Sequence, residues 1–81
     1  MDMSNQPVPA TTSIRRSRVH NVDSDRLVRR HGHLQDLVCV NPHRLPNQNR
    51  LVMRAAELHA VEREMRVRGL SVPTPPHTGM L

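Results

Sequence analysis

The chain has no lysine and no Phe, Tyr or Trp, and it holds one isoleucine, three glycines and a single cysteine. Without lysine, no side-chain amine is available for a Schiff base. All twelve basic residues are arginines, permanently charged and fork-shaped, suited to phosphate and carboxylate. Without aromatic rings, base stacking of the kind used by single-strand binders is excluded. The large hydrophobic payload that rings bring to a core is missing too. One cysteine, Cys39, forms no intramolecular disulfide and fits a reducing compartment. With glycine at 32, 69 and 79 alone, there is no Gly-rich phosphate loop. No Ser-His-Asp arrangement is recognisable, and no apolar run reaches transmembrane length. The opening MDMSNQPVPATTS lacks the apolar centre of a secretory signal. The expectation is a cytoplasmic protein without membrane association and without a cofactor.

What remains is small, basic and thinly apolar. Leu, Ile and Val make 19 of 81 residues, enough for a marginal single core that self-association or a partner would support. Arginine in place of lysine also follows the codons of a GC-rich genome, such as that of a bacterium or one of its viruses. A net charge of +5 and a pI near 11.5 point to an acidic partner. Nucleic acid ranks first, then an acidic protein surface, then an anionic membrane. The membrane ranks last because no helix carries the Trp and Phe that favour interfaces.

Residues 1–22 read as a disordered arm, with Pro7 and Pro9 early and Arg15, Arg16 and Arg18 clustered late. The stretch 15–30 holds six arginines against Asp23 and Asp25, a local excess of four positive charges. Such a run is either a solvated charge cluster or a set of phosphate contacts. Asp23, Ser24 and Asp25 suit a helix N-cap. Leu27, His31, Leu34 and Val38 then recur at helical spacing, predicting a helix over about 24–38. Residues 37–40 would also suit a short strand after a helix stopping at Gly32. Pro42 and Pro46 break the chain into a loop. Asn47 or Asn49 caps a second helix of about 49–68, free of Gly and Pro, with Leu51, Ala55, Leu58, Val61 and Met65 on one face. Glu62 and Arg66, and Glu64 and Arg68, are favourable i,i+4 pairs, and Gly69 is placed to stop the helix. A zipper through Leu51, Leu58 and Met65 is opposed by Arg54 and Arg68 at the matching positions. Residues 70–81, with Pro73, Pro75 and Pro76, read as an extended tail. The whole is a mostly α protein: a helical hairpin module at 23–69 between two arms.

His31, His33, Cys39 and His43 are the one set with metal-like spacing, since Cys-x3-His suits tetrahedral zinc. An unbroken helix would point His31 and His33 to different faces, so no metal is assigned. The same stretch, Cys39-Val40-Asn41-Pro42-His43 with His33 before it, resembles a segment of HNH nucleases. That resemblance implies a ββα metal site with His33 as base, Asn41 as orienting residue and His43 as ligand. His43 stands one position early for that pattern, and Gly32 replaces its acidic residue. Arg50-Leu-Val-Met-Arg54-Ala55-Ala56-Glu57-Leu58, with Arg68-Gly69-Leu70 after it, resembles the C-terminal helix of viral small terminase subunits. That second resemblance implies a ring-forming protein that handles DNA.

The leading expectation is a non-enzymatic accessory protein, viral and homo-oligomeric, that binds nucleic-acid backbone or an acidic protein. Arg15, Arg16, Arg18, Arg29 and Arg30 would meet phosphate, and Leu51, Leu58, Val61 and Met65 would form the packing or assembly face. The alternatives are a degenerate HNH-type nuclease and an assembly protein without nucleic-acid binding.

Overall fold

A computed structural model of the chain describes residues 8–74. It is mostly α, with no strand among the described residues. The parts of the two expected arms at 1–7 and 75–81 lie outside the described residues.

Helix α1 spans Ser24–Gln35. Asp23 caps it, its Oδ2 accepting from the Arg26 amide at 3.2 Å, and Asp25 adds a carboxylate to the positive end. Leu27 and Leu34 turn inward and are fully buried, with His31 between them at 1% exposure. Beyond Gln35 the chain stays helical but widens into one π-type turn, Asp36–Val40, rather than forming a strand. The Asn41 amide donates to the Asp36 carbonyl at 2.7 Å, and its side-chain amide donates to Asp36 Oδ1 at 2.9 Å. Pro42 disfavours a helical Asn41 and ends the run. A short 3-10 turn, Pro42–Arg44, follows.

Helix α2 spans Gln48–Val67 and is capped by Asn47, whose Oδ1 accepts from the Arg50 amide at 2.9 Å. Its C-terminus closes by a Schellman motif. The Leu70 amide reaches the Met65 carbonyl at 2.8 Å and the Gly69 amide reaches that of Arg66 at 3.0 Å. Gly69 takes φ 75°, a left-handed value that glycine adopts without strain. The helices run antiparallel, for Arg68 of α2 bonds Ser24 at the start of α1 while Glu57 reaches Arg30 further along it. Leu27 and Leu34 meet Leu58, Val61 and Met65 between them, and Ile14 completes the core.

Two expectations therefore change. Residues 8–22 are not a free arm: Ile14 is buried, Val19 and Val22 pack on the core, and Arg16–Asn21 form a 3-10 segment beside α2. The tail likewise begins later than residue 70, since Leu70 and Val72 pack on the core and Gln35 Nε2 donates to the Pro73 carbonyl at 3.1 Å. A hairpin with so few apolar residues gains its missing cover from these flanking segments.

The two glycines near the helices should respond in opposite ways to alanine. At Gly32, exposed within α1, an added Cβ meets nothing within 4 Å, so Gly32→Ala should raise stability by about 0.5–1 kcal/mol. Gly69→Ala forces a left-handed alanine and should cost about 1 kcal/mol. Urea unfolding of both variants checks this, and two shifts of the same sign would refute the assignment of these backbone conformations.

Candidate nucleic-acid interface

The arginine-bearing N-terminal segment is held by one buried carboxylate. Glu57 of α2 is 5% exposed and accepts a two-pronged bond from Arg30 of α1, Nε to Oε2 at 2.7 Å and Nη2 to Oε1 at 2.8 Å. Arg54 Nη1 donates to Oε1 at 2.7 Å, and the Ile14 amide donates to Oε2 at 2.8 Å. The last bond fixes the main chain at the point where Ile14 enters the core. Burial pushes the Glu57 carboxyl pKa upward, but the Arg30 bond, the Ile14 bond and the charges of Arg30 and Arg54 outweigh it. The result is a pKa below its ordinary value of 4.5.

Other arginines grip the same segment through its carbonyls. Arg29 Nη1 donates to Val8 at 2.8 Å, Arg30 Nη1 to Ala10 at 2.8 Å, and Arg68 Nη2 to His20 at 3.1 Å. Arg54 Nη1 also reaches Ser13 Oγ at 2.7 Å. Because residues 8–22 lack regular pairing over much of their length, these donors satisfy carbonyls that would otherwise depend on water.

Of the five arginines expected to meet phosphate, the structure divides the set. Arg15, Arg16 and Arg18 stand exposed on or beside the 3-10 segment, with no carboxylate partner among the described residues. Arg29 is half-buried and pairs with Asp25 at 3.0 Å. Arg30 is removed from the set: it is 1% exposed and fully engaged by Glu57 and Ala10. The sequence places Arg30 one step off the apolar stripe, and Glu57 likewise, so a cross-helix pair between them had no local signal.

Of the two roles expected for the apolar face of α2, packing and assembly, three of its residues serve packing. Leu58, Val61 and Met65 are spent inside the hairpin, at 8%, 0% and 0% exposure, and Leu51 is half-buried. Assembly through the three buried residues would require opening the hairpin.

Two open grooves flank the 3-10 segment. One, of about 570 Å³, lies against α2 and takes Arg16, His59, Arg63 and Arg66 into its wall. The other, of about 350 Å³, lies toward α1 and is lined by Arg15, Arg18 and Arg26 with Asp23. Arg26 Nε is enclosed there with no acceptor among the described residues. Arg63 and Arg66, four and seven residues beyond His59, extend the basic surface onto α2. From the sequence Arg66 is expected only as a partner of Glu62 and Arg63 carries no signal, because both belong to a helix whose acidic residues nearly balance its basic ones.

His31, His33, Cys39 and His43 do not converge. His31 is buried with Nε2 2.9 Å from Glu62 Oε2, so that nitrogen carries the proton and faces a carboxylate. His43 is exposed on the 3-10 turn, and Asn41 is tied to Asp36. Among the described residues no three His, Cys, Asp or Glu side chains are grouped to hold a metal ion. Residues 33–40 are helical and 42–44 form the 3-10 turn.

Glu57→Ala should strand Arg30 as a buried unpaired charge and cost about 3–5 kcal/mol, much of the stability of a domain this size. The paired change to Arg30→Met with Glu57→Leu should recover only part of it, because the buried charge is gone but the Ile14 amide and Arg54 still lose their acceptor. Since the Glu57 pKa is lower folded than unfolded, its stabilisation is complete above about pH 4.5 and drains away as pH falls through the folded value. Denaturant midpoints from pH 7 to 3 test this; an acid loss undiminished in the double variant would show that Glu57 is not its source.

No protein-family model, curated protein or solved structure matches this chain.

Proposed function

We propose that this chain is a small basic accessory protein that binds nucleic acid through its phosphate backbone. The observation that carries the reading is the state of Arg15, Arg16 and Arg18. They sit on a segment held to the hairpin by the Glu57 cluster, yet they face solvent without a carboxylate partner among the described residues. Guanidinium groups held on an ordered support lose less entropy on meeting phosphate than the same groups on a loose arm. Elsewhere in the fold, arginines near carboxylates pair with them, as Arg68 does with Glu64 at 2.9 Å. The net charge of +5 favours approach to a polyanion.

The absence of aromatic side chains shapes the recognition. Bases cannot stack on rings, so affinity comes from phosphates, with weak sequence preference and strong dependence on salt. A duplex, with its denser charge, is the better ligand than a single strand of equal length.

Fluorescence anisotropy on a labelled 20-base-pair duplex at several salt concentrations tests the proposal. Binding should weaken steeply with salt. Arg15→Ala, Arg16→Ala and Arg18→Ala combined should flatten the log–log slope by roughly 0.9 for each phosphate that is no longer neutralised. Absence of binding at low salt would overturn the reading, and a slope untouched by the triple variant would remove these residues from the interface.

A further inference from the structure

We infer that the groove between the 3-10 segment and α2 is the seat of a phosphodiester strand, with Arg16, Arg63 and Arg66 as its cationic clamps. This rests on the nucleic-acid reading above and locates the ligand within it. The groove's floor is made by Ala56 and Ala60, one helical turn apart on α2. Two alanines in succession leave the helix backbone close to the surface, so a chain of atoms can lie low against it. His59 stands on the same face of α2, Arg63 stands one turn beyond it, and Arg66 lies three further, while Arg16 closes the opposite side from the 3-10 segment. Cations on both sides of a small-residue floor suit a linear polyanion better than a flat patch would.

The acidic groups nearby are already engaged. Glu64, the one carboxylate among the lining residues, accepts from Arg68 Nε at 2.9 Å. Glu62 Oε2 faces His31 at 2.9 Å, and its other oxygen stands 4.0 Å from Arg66, a loose pair with a side chain 65% exposed. Arg16 and Arg63 have no carboxylate partner among the described residues. The groove therefore presents two unpaired charges and one loosely paired, within a volume of about 570 Å³. Phosphate fits this set better than carboxylate does, because each guanidinium can donate two parallel bonds to one phosphate while a neighbour takes the next along the strand.

The test uses the full chain, the 20-base-pair duplex and three variants. Arg63→Ala with Arg66→Ala, both exposed and so tolerated by the fold, should weaken binding about tenfold and flatten the salt slope by roughly two units. Ala60→Met keeps helix propensity and charge but fills the floor, and should weaken binding without changing the slope as much. Arg44→Ala with Arg50→Ala removes the same charge outside the groove and should have a much smaller effect. Circular dichroism confirms that each variant keeps its helices. Wild-type binding that survives Arg63→Ala with Arg66→Ala overturns the groove while leaving nucleic-acid binding intact. An effect of Arg44→Ala with Arg50→Ala equal to that of the groove pair, or no effect of Ala60→Met, means diffuse charge attraction and also overturns it. Polyglutamate that competes as well as unlabelled duplex at equal charge overturns the phosphodiester occupant in favour of an acidic protein. If the wild type does not bind duplex at low salt, the broader reading fails first.

Discussion

The seating of the N-terminal segment on the two helices depends on a single carboxylate meeting more donors than it has oxygens. Glu57 collects a guanidinium from α1, another from its own helix and the main-chain amide of Ile14. A lone buried carboxylate would be expensive, and a buried arginine equally so; here each is the other's solvent. Ile14 then drops into the core, and the 3-10 segment that follows is held where its arginines face outward. Polar specificity and apolar burial thus act at the same pair of positions, 14 and 57.

The arginines divide into two populations by what they meet. Arg26, Arg29, Arg30, Arg54 and Arg68 bond the N-terminal segment. Arg15, Arg16, Arg18, Arg50 and Arg63 meet no carboxylate among the described residues, and Arg44 and Arg66 stand only loosely against Asp36 and Glu62 at 3.8 and 4.0 Å. A chain with few large apolar side chains uses the first population as mortar. Four of their heads bind carbonyls of the N-terminal segment, and Arg54 binds the Ser13 hydroxyl. The second population is what such a protein has left to offer a partner, and all of it but Arg44 and Arg50 lines the grooves beside the 3-10 segment.

Much of the hairpin was legible in the residues. The stripe of Leu27, His31 and Leu34, the caps at Asp23 and Asn47 and the stop at Gly69 all act through local geometry, and local geometry is what spacing reports. The Pro-rich and charged look of residues 8–22 concealed their packing. Ile14 is a lone apolar residue in a polar run, and no periodicity distinguishes an anchor from an accident. The burial of Arg30 was equally hidden, because its partner lies 27 residues away on the other helix. Arg63 and Arg66 were hidden for a related reason. Their neighbours Glu62 and Glu64 suggest a balanced helix face; Glu64 does pair with Arg68 as the spacing predicts, but Glu62 turns chiefly to His31, which leaves Arg66 loosely paired and Arg63 unpaired among the described residues.

The grip on residues 8–20 has a consequence for how this chain can drift over generations. Most of the bonds that restrain it end on carbonyl oxygens, at Val8, Ala10, Ser13 and His20, and a carbonyl is supplied by every amino acid. The gripped stretch is thus free to change its side chains at most positions without loosening. The gripping residues are not, since a lysine in place of Arg30 would lose the fork that serves Glu57 and Ala10 at once. Related chains would then look dissimilar through residues 8–20 and alike at scattered arginines.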